Sequence, residues 1–432
     1  MHPWPLRRAV ALVTGLSLAL TGSVAAATSM ASAAPGPVTI TFWNEMTGPY
    51  KVALDAEIHA FEHQNPRIHV TDVVVPNDAA LEPKLLAAIV AGNPPTISQV
   101  NPPWATGLIH TGSLVNLSPY MKKTPAMAAK NFYASLLAGG RWPDGNVYVL
   151  PFNISTALLF YNKTAFQKAH IAGPPRTWAA FTEDAMRLSG KNREAFAITL
   201  VHSYPWLAFF YQQGGNFITK TGMPNPAAFA PNGPAVKALN LWANLVRHHA
   251  AVLTQGYASQ TDFADQTSSI LVGTSAFYPY LVPAVGGKFP IGIATLPRGT
   301  VSATSIFGGY LGLFSHSTAA QTTAALKFVQ YLTSPTGTTY WMEHSDGYLP
   351  VRPSVVRTAA SYLRTHPAQR VAMEALAAGQ NPPKVAWWDQ FNHEVLLNDI
   401  TAVLIGKESA QAAMKSAYAQ AVQLAHRDGT YQ

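Results

Sequence analysis

The chain has 432 residues, 48% of them apolar and only 12% charged, with a formal net charge of +8. That length exceeds what one hydrophobic core usually serves, so two domains are expected, and the apolar share excludes a disordered chain. The basic residues are scattered without a run of five, which argues against a nucleic-acid partner, and the lack of cysteine means that an exported fold would rest on its cores rather than on disulfides.

The first predicted element is a processing signal rather than part of the fold. Arg7-Arg8 precede the apolar stretch ALVTGLSLALTGSVAAA, and small residues close it at Ala31-Ser32-Ala33-Ala34. This is the order of a secretory signal, with basic, apolar and small-residue regions in turn. Gly15 and Gly22 make it a poor membrane-spanning helix, so residues 1–34 are expected to be cleaved and the rest released outside the cytoplasm.

After the signal the pattern alternates. VTITFW (38–43) is β-branched and reads as a strand; Tyr50 to His63 reads as a helix, with Leu54, Ile58 and Phe61 on one face. IHVTDVVV (68–75) is the next strand, and Asp78 is placed to N-cap a helix carrying Leu81, Leu85, Leu86 and Ile89. Gly92 sits where a helix end needs a left-handed residue, and Thr96 to Val100 is a short strand. Such alternation predicts an α/β fold built on a parallel sheet, with ligand groups at the C-terminal ends of the strands.

A second alternation runs from about residue 150 to 305. PFNISTALLFYNKTAF (151–166) opens it as a strand with a polar entrance and a helix start behind it. Thr177-Trp178 starts a helix to Leu188, and Pro234 to His249 reads as another. IGIATLPRG (291–299) reads as a strand leaving this region, and IFGGYLGLF (306–314) as a strand re-entering the first. The remainder is predicted helical over 322–332, 355–375 and 390–426.

Catalytic patterns are sparse. His59-Ala60-Phe61-Glu62-His63 matches a zinc-protease pattern, but its helix ends at Asn65-Pro66 and no third ligand is evident, so a solvated face is the preferred reading and no metal or other cofactor is expected. There is no G-x-S-x-G, P-loop or G-x-G-x-x-G. A secreted glycosidase or metalloprotease stays as an alternative of another class, as does a sensor or adhesin on the same fold. What gathers instead at strand ends and loop mouths is aromatic and small polar: Trp43-Asn44-Glu45, Trp104, Tyr204, Trp206, Tyr278, Tyr280, Gly308-Gly309-Tyr310, Tyr348 and Trp387-Trp388. Flat apolar rings beside hydroxyl, amide and carboxyl groups suit a sugar or polyol.

At this point the chain resembles a known family. FWNEMTG (42–48), AGNPP (91–95), PFNISTALLFYNKTAF with PPRTW (174–178), IFGGYLGLF and DGYLPVRP (346–353) occur in matching order. Together they resemble the family 1 extracellular solute-binding proteins of ABC importers, most of all the sn-glycerol-3-phosphate-binding subgroup. The resemblance implies two α/β lobes joined by a hinge, with the ligand in the cleft between them and no catalysis. It implies a first lobe of 35–149 plus 308–354 and a second of 150–307 plus 355–432. The partners it implies are a small sugar or polyol and the transmembrane subunits of an ABC permease, with the binding protein itself a monomer.

Ligand positions carried over from the subgroup are Asn44, Glu45, Ser155, Thr156, Trp206, Gly308, Gly309 and Tyr348, the glycines letting backbone approach a ligand. Trp43, Asp78, Trp104, Tyr278, Tyr310, Trp387 and Trp388 complete the expected site. Two positions depart from the subgroup. Its Tyr-Glu pair falls at Asp78-Ala79, and its phosphate-gripping arginine falls in KVAWWDQFNHE (384–394), which has no arginine. Arginine is the usual bidentate partner of phosphate, so its loss favours a neutral sugar. A glycerol phosphate or glycerophosphodiester remains the alternative ligand, with Lys384 or Arg352 as a substitute cation.

Overall fold

Residues 36–190, 193–200 and 203–429 are described by the computed structural model. The expected signal at 1–34 lies outside them. The chain then builds two mixed sheets within one compact unit that begins at Pro37.

The first sheet opens with β1 (Val38–Asn44), which leads into helix α1 (Gly48–Gln64). β2 (Ile68–Val74) pairs parallel to β1 along its whole length. Helix α2 (Asp78–Val90) follows, and its N-cap is Asn77, whose Oδ1 accepts from the Ala80 amide at 3.0 Å. The expected cap, Asp78, is therefore the first helical residue. Gly92 ends the turn after α2 at φ +71°, as a left-handed position requires. β3 (Ile97–Val100) lies parallel on the other side of β1 and runs into helix α3 (Pro102–His110). β4 (Val149–Pro151) forms the far edge.

The chain then changes sheet. β5 (Ser155–Asn162) is the spine of the second sheet, and Asn162 caps the next helix by accepting from the Ala165 amide at 3.0 Å. β6 (Phe196–Thr199), β7 (Ala251–Thr254) and β8 (Ile270–Thr274) extend that sheet, with β8 antiparallel to β5. β9 (Ile291–Thr295) pairs on β5 from the other side.

IFGGYLGLF proves to be two strands rather than one. β10 (Thr304–Phe307) pairs with β5, whereas β11 (Tyr310–Leu313) lies between β3 and β4 in the first sheet. Gly308 and Gly309 carry the chain across. A Cβ on Gly308, at φ +112°, would sit 1.8 Å from the Asn153 carbonyl oxygen, and one on Gly309 would sit 2.7 Å from the Gln99 amide nitrogen. The pair thus lets the two crossings pass against each other, and Gly308 also borders the cavity. β12 (Gly379–Gln380) adds a last parallel pairing to β10.

Between the strands, two large apolar clusters form. One packs α1 and the Ala319–Leu332 and Pro335–Ser345 helices on the first sheet around Ile40, Phe42, Phe328 and Trp341. The other packs the Tyr204–Gln212, Pro234–Arg247 and Ala410–Asp428 helices on the second sheet around Trp206, Trp242, Trp387 and Trp388. Each such fully buried ring contributes roughly 1.5–3 kcal/mol by leaving water. The Pro335–Ser345 helix was not read from the sequence; its composition is polar, and it starts on Ser334, whose Oγ accepts from the Gly337 amide at 3.0 Å.

Candidate functional site

Three parallel strands of the first sheet end on one cavity. Glu45 follows β1, Asn77 and Asp78 follow β2, and Asn101 follows β3, and all four line it. The second sheet supplies the opposite wall through Ser155, Tyr204, Tyr257, Thr274, Phe277 and Tyr280. The chain crossings add Asn153, Gly308 and Phe307. The enclosed volume is about 520 Å³, within the range of about 300–1,000 Å³ usual for small-molecule sites.

A polar hub sits where the crossings meet the wall. The buried Asn153 Oδ1 accepts from Gln99 Nε2 at 2.9 Å and from the Gly309 amide at 3.0 Å. Gln99 in turn accepts from the Glu45 amide through Oε1 at 2.7 Å and donates to Glu45 Oε1 at 3.4 Å. Glu45 is thereby fixed by its own main chain. Burial first, and then the charge of Asp78, push its carboxyl up to about 8 against the lowering effect of Gln99.

The two sides touch at both ends of the cavity. At one end Tyr50 donates to the Ala276 carbonyl at 2.6 Å, Tyr280 to the Thr47 carbonyl at 3.2 Å and Ser275 to the Gly347 carbonyl at 2.6 Å. Tyr50 also packs on Tyr348 and Tyr280, with ring centroids 4.6 and 5.6 Å away. At the other end Trp104 Nε1 donates to Asp389 Oδ1 at 3.2 Å, beside a smaller hollow of about 160 Å³ that Glu82 also lines. His393 Nδ1 lies 3.3 Å from the other Asp389 oxygen. Burial and the Asp389 charge push Glu82 up to about 8, and the hydrogen bond to Asp389 raises His393.

Of the residues expected at the site, Glu45, Asp78, Ser155, Gly308, Tyr310 and Tyr348 line the cavity. The others lie elsewhere. Trp43 is half-buried with the Lys84 ammonium 4.5 Å above its ring. Asn44 is buried, donates to Asp72 and accepts from the Met46 amide at 3.0 Å, so it shapes the turn after β1. Thr156 points away from its neighbour Ser155, as strand alternation demands, and donates to the Ala372 carbonyl at 3.2 Å. Trp104 faces the smaller hollow, Tyr278 packs against the first core, and Gly309 stands behind Gly308 in the hub.

Trp206, Trp387 and Trp388 require correction, for all three are core. Trp206 stacks on Phe210 at 5.8 Å, Trp387 donates to the Gly222 carbonyl at 3.0 Å, and Trp388 lies 5.1 Å from Phe217. The substitute cations also fail to reach the cavity. Arg352 is buried over the Phe132 ring, donating to the carbonyls of Thr333 and Ala126, and Lys384 donates to the carbonyls of Ala138 and Arg141. No Lys, Arg or His is among the described residues that line the cavity. His59 and His63 are exposed and Glu62 accepts from the Val70 amide at 2.8 Å; no cluster of three metal-ligating side chains occurs among the described residues.

Sequence reasoning missed Tyr50, Asn77, Asn101, Tyr257, Thr274, Phe277, Phe307 and Asn381. Asn77 and Asn101 each follow a parallel strand, so the strand-end rule itself would have found them. Tyr50, expected only as the start of a helix, is both a core and a cavity residue.

The sequence profile of the bacterial extracellular solute-binding proteins matches residues 56–375. The chain belongs to this family. It is therefore a solute-binding protein and not an enzyme. Among its relatives, the sn-glycerol-3-phosphate-binding periplasmic protein UgpB of Salmonella typhimurium is 24% identical, over 97% of this chain and 98% of that one. Among solved structures, UgpB of Mycobacterium tuberculosis in complex with glycerophosphocholine superposes with a TM-score of 0.81 at 22% identity, covering 91% of this chain and 99% of that one. The GacH receptor of Streptomyces glaucescens, solved unliganded and with acarbose, gives 0.78 at 21% identity, covering 89% and 98%. The sugar-binding protein MalE of Xanthomonas citri gives 0.78 at 23%, covering 90% and 98%. These solute-binding proteins share the fold: two α/β lobes, with the cavity described above lying between the two sheets.

Proposed function

We propose that this solute-binding protein captures a carbohydrate between its lobes outside the cytoplasm and delivers it to an ABC permease. The observation that carries the reading is the wall itself. It is made of tyrosine and phenylalanine rings, asparagine amides, hydroxyls and two carboxyls, with no Lys, Arg or His among the described lining residues. Rings offer stacking faces to sugar C–H groups, and the amides and carboxyls bond hydroxyls. A phosphate would find no bidentate guanidinium and would meet the charge of Asp78, which weighs against a glycerol phosphate ligand despite the names of several relatives. Two structural neighbours, GacH and MalE, are named for acarbose and for sugar binding.

The lobes we assign are 35–149 plus 308–354 and 150–307 plus 355–432, with the ligand closing them on itself. Closure excludes water and strengthens hydrogen bonds from both walls, and a ligand drives it only by binding the closed form better. The ligand contacts we assign are Glu45, Asp78, Ser155, Gly308, Tyr310 and Tyr348. Calorimetric titration with a saccharide panel, glycerol 3-phosphate and glycerophosphocholine, with X-ray scattering for compaction, tests this. Saccharide binding with compaction, unaffected by inorganic phosphate, is the expected result. Tight binding of glycerol 3-phosphate that phosphate competes away would overturn it.

A further inference from the structure

We propose that the carbohydrate taken by this cleft carries a protonated amine, held between the Glu45 and Asp78 carboxyl groups and the tyrosine rings opposite them. The proposal rests on the carbohydrate reading above and narrows it.

Both carboxyl groups belong to the first wall and line the same cavity, Glu45 one residue beyond β1 and Asp78 in the first turn of α2. Tyr257 and Tyr280 line it from the second wall, and both carboxyls help to raise the Tyr257 phenol. Among the described lining residues there is no cation to compensate either carboxylate. Burying a charge without a counter-charge is expensive, and burial already raises the Glu45 carboxyl. Sugar hydroxyls donate to carboxylates but bring no charge. An ammonium brings both a charge and three donors, and tyrosine faces attract it further.

The state of Glu45 gives this arrangement a distinctive signature. With its carboxyl pushed up to about 8 by burial and by Asp78, Glu45 is mostly protonated in the empty cleft near neutral pH. The other groups facing it are Gln99, which does not titrate, and the phenols of Tyr257 and Tyr348, which burial raises further from ionisation. An ammonium beside Glu45 favours the carboxylate, so the Glu45 proton leaves to solvent as the amine binds. A neutral sugar has no such effect.

The test is calorimetry of the mature chain with a glucosamine trimer, its N-acetylated counterpart and maltotriose, in two buffers of different ionisation heat, at about pH 5.5, where the amines of the sugar are charged and Glu45 is not. The expected result is binding of the amine trimer about tenfold or more tighter than either neutral trisaccharide. It should be accompanied by proton release that Glu45→Gln abolishes. Asp78→Asn, at an accessible helix start, should shrink the preference while leaving the melting temperature unchanged. Equal or tighter binding of a neutral trimer, or amine binding without proton release, overturns the inference and leaves the carbohydrate reading standing. Binding of none of the three, with the wider saccharide panel also without effect, overturns both.

Discussion

Ser155 and Gly308 show how single residues divide the labour at the crossings. Ser155 is 2% exposed, yet it borders the cavity, while Thr156 beside it is spent on the Ala372 carbonyl. Ser155→Ala should therefore weaken ligand binding by roughly 3–10-fold, the value of one hydrogen bond, and leave the melting temperature nearly unchanged; calorimetry beside thermal unfolding checks both. Gly308 should behave in the opposite way. Alanine there would hold a strained φ of +112° with its Cβ 1.8 Å from the Asn153 oxygen, so Gly308→Ala should cost about 2–4 kcal/mol in urea unfolding. A variant as stable as the parent would show that the hub relaxes freely. Ser155 was legible in the sequence as part of a polar strand entrance and through the family resemblance, which named Thr156 with it; only the strand's two faces separate them. Nothing comparable separated Trp206, Trp387 and Trp388 from wall residues, because an aromatic near a loop has the same local signature whether a helix later covers it or not.

Among the elements, α1 carries the clearest local conflict. Its apolar face was legible from Leu54, Ile58 and Phe61, all now buried, but Glu57 is buried with them at 1% exposure. Neither carboxyl oxygen of Glu57 has a hydrogen-bond partner among the described protein atoms. Burial holds its pKa well above the ordinary 4.5. The folded state then binds a proton that the unfolded chain has already lost, so stability is highest below pH 4.5 or so for this group and falls as pH rises above it. Glu57→Gln keeps the shape without the charge. It should raise the melting temperature at pH 8, change it little at pH 5, and so flatten the profile over that interval; equal effects at both pH values would show that Glu57 finds water or another partner. The parallel pairing of β1, β2 and β3 was equally legible in the alternation of the first hundred residues, though their order was not. The split of 306–314 into β10 and β11 was not, since both halves are apolar and only the close approach of Asn153 reveals why Gly308-Gly309 must turn there.

Across the whole molecule, the far end of the cleft couples lobe contact to protons. Glu82 on α2 faces Asp389 across the smaller hollow, and Asp389 also receives Trp104 Nε1 at 3.2 Å. Two carboxyls so placed are best accommodated with one proton between them, which is why burial and the Asp389 charge push Glu82 up to about 8. His393, beside Asp389, is raised by its hydrogen bond to that carboxylate. Asp78 adds negative charge near both groups, and the Tyr204 phenol stays neutral because burial raises it. Separating the lobes would rehydrate Glu82 and remove Asp389 from it, returning its pKa toward 4.5. The joined form therefore holds the extra proton on Glu82, so contact is favoured at lower pH and weakened as pH rises through about 8; His393 lies one turn from Asp389 on the same helix, so its raised pKa accompanies either form. Small-angle scattering of the ligand-free protein should show the radius of gyration growing between about pH 6 and pH 9. Glu82→Gln, which keeps a donor for Asp389 at every pH, should hold the smaller radius throughout. A parent radius that does not move over this range would mean that the Tyr50, Tyr280 and Ser275 contacts at the opposite end hold the lobes together regardless of this carboxyl pair.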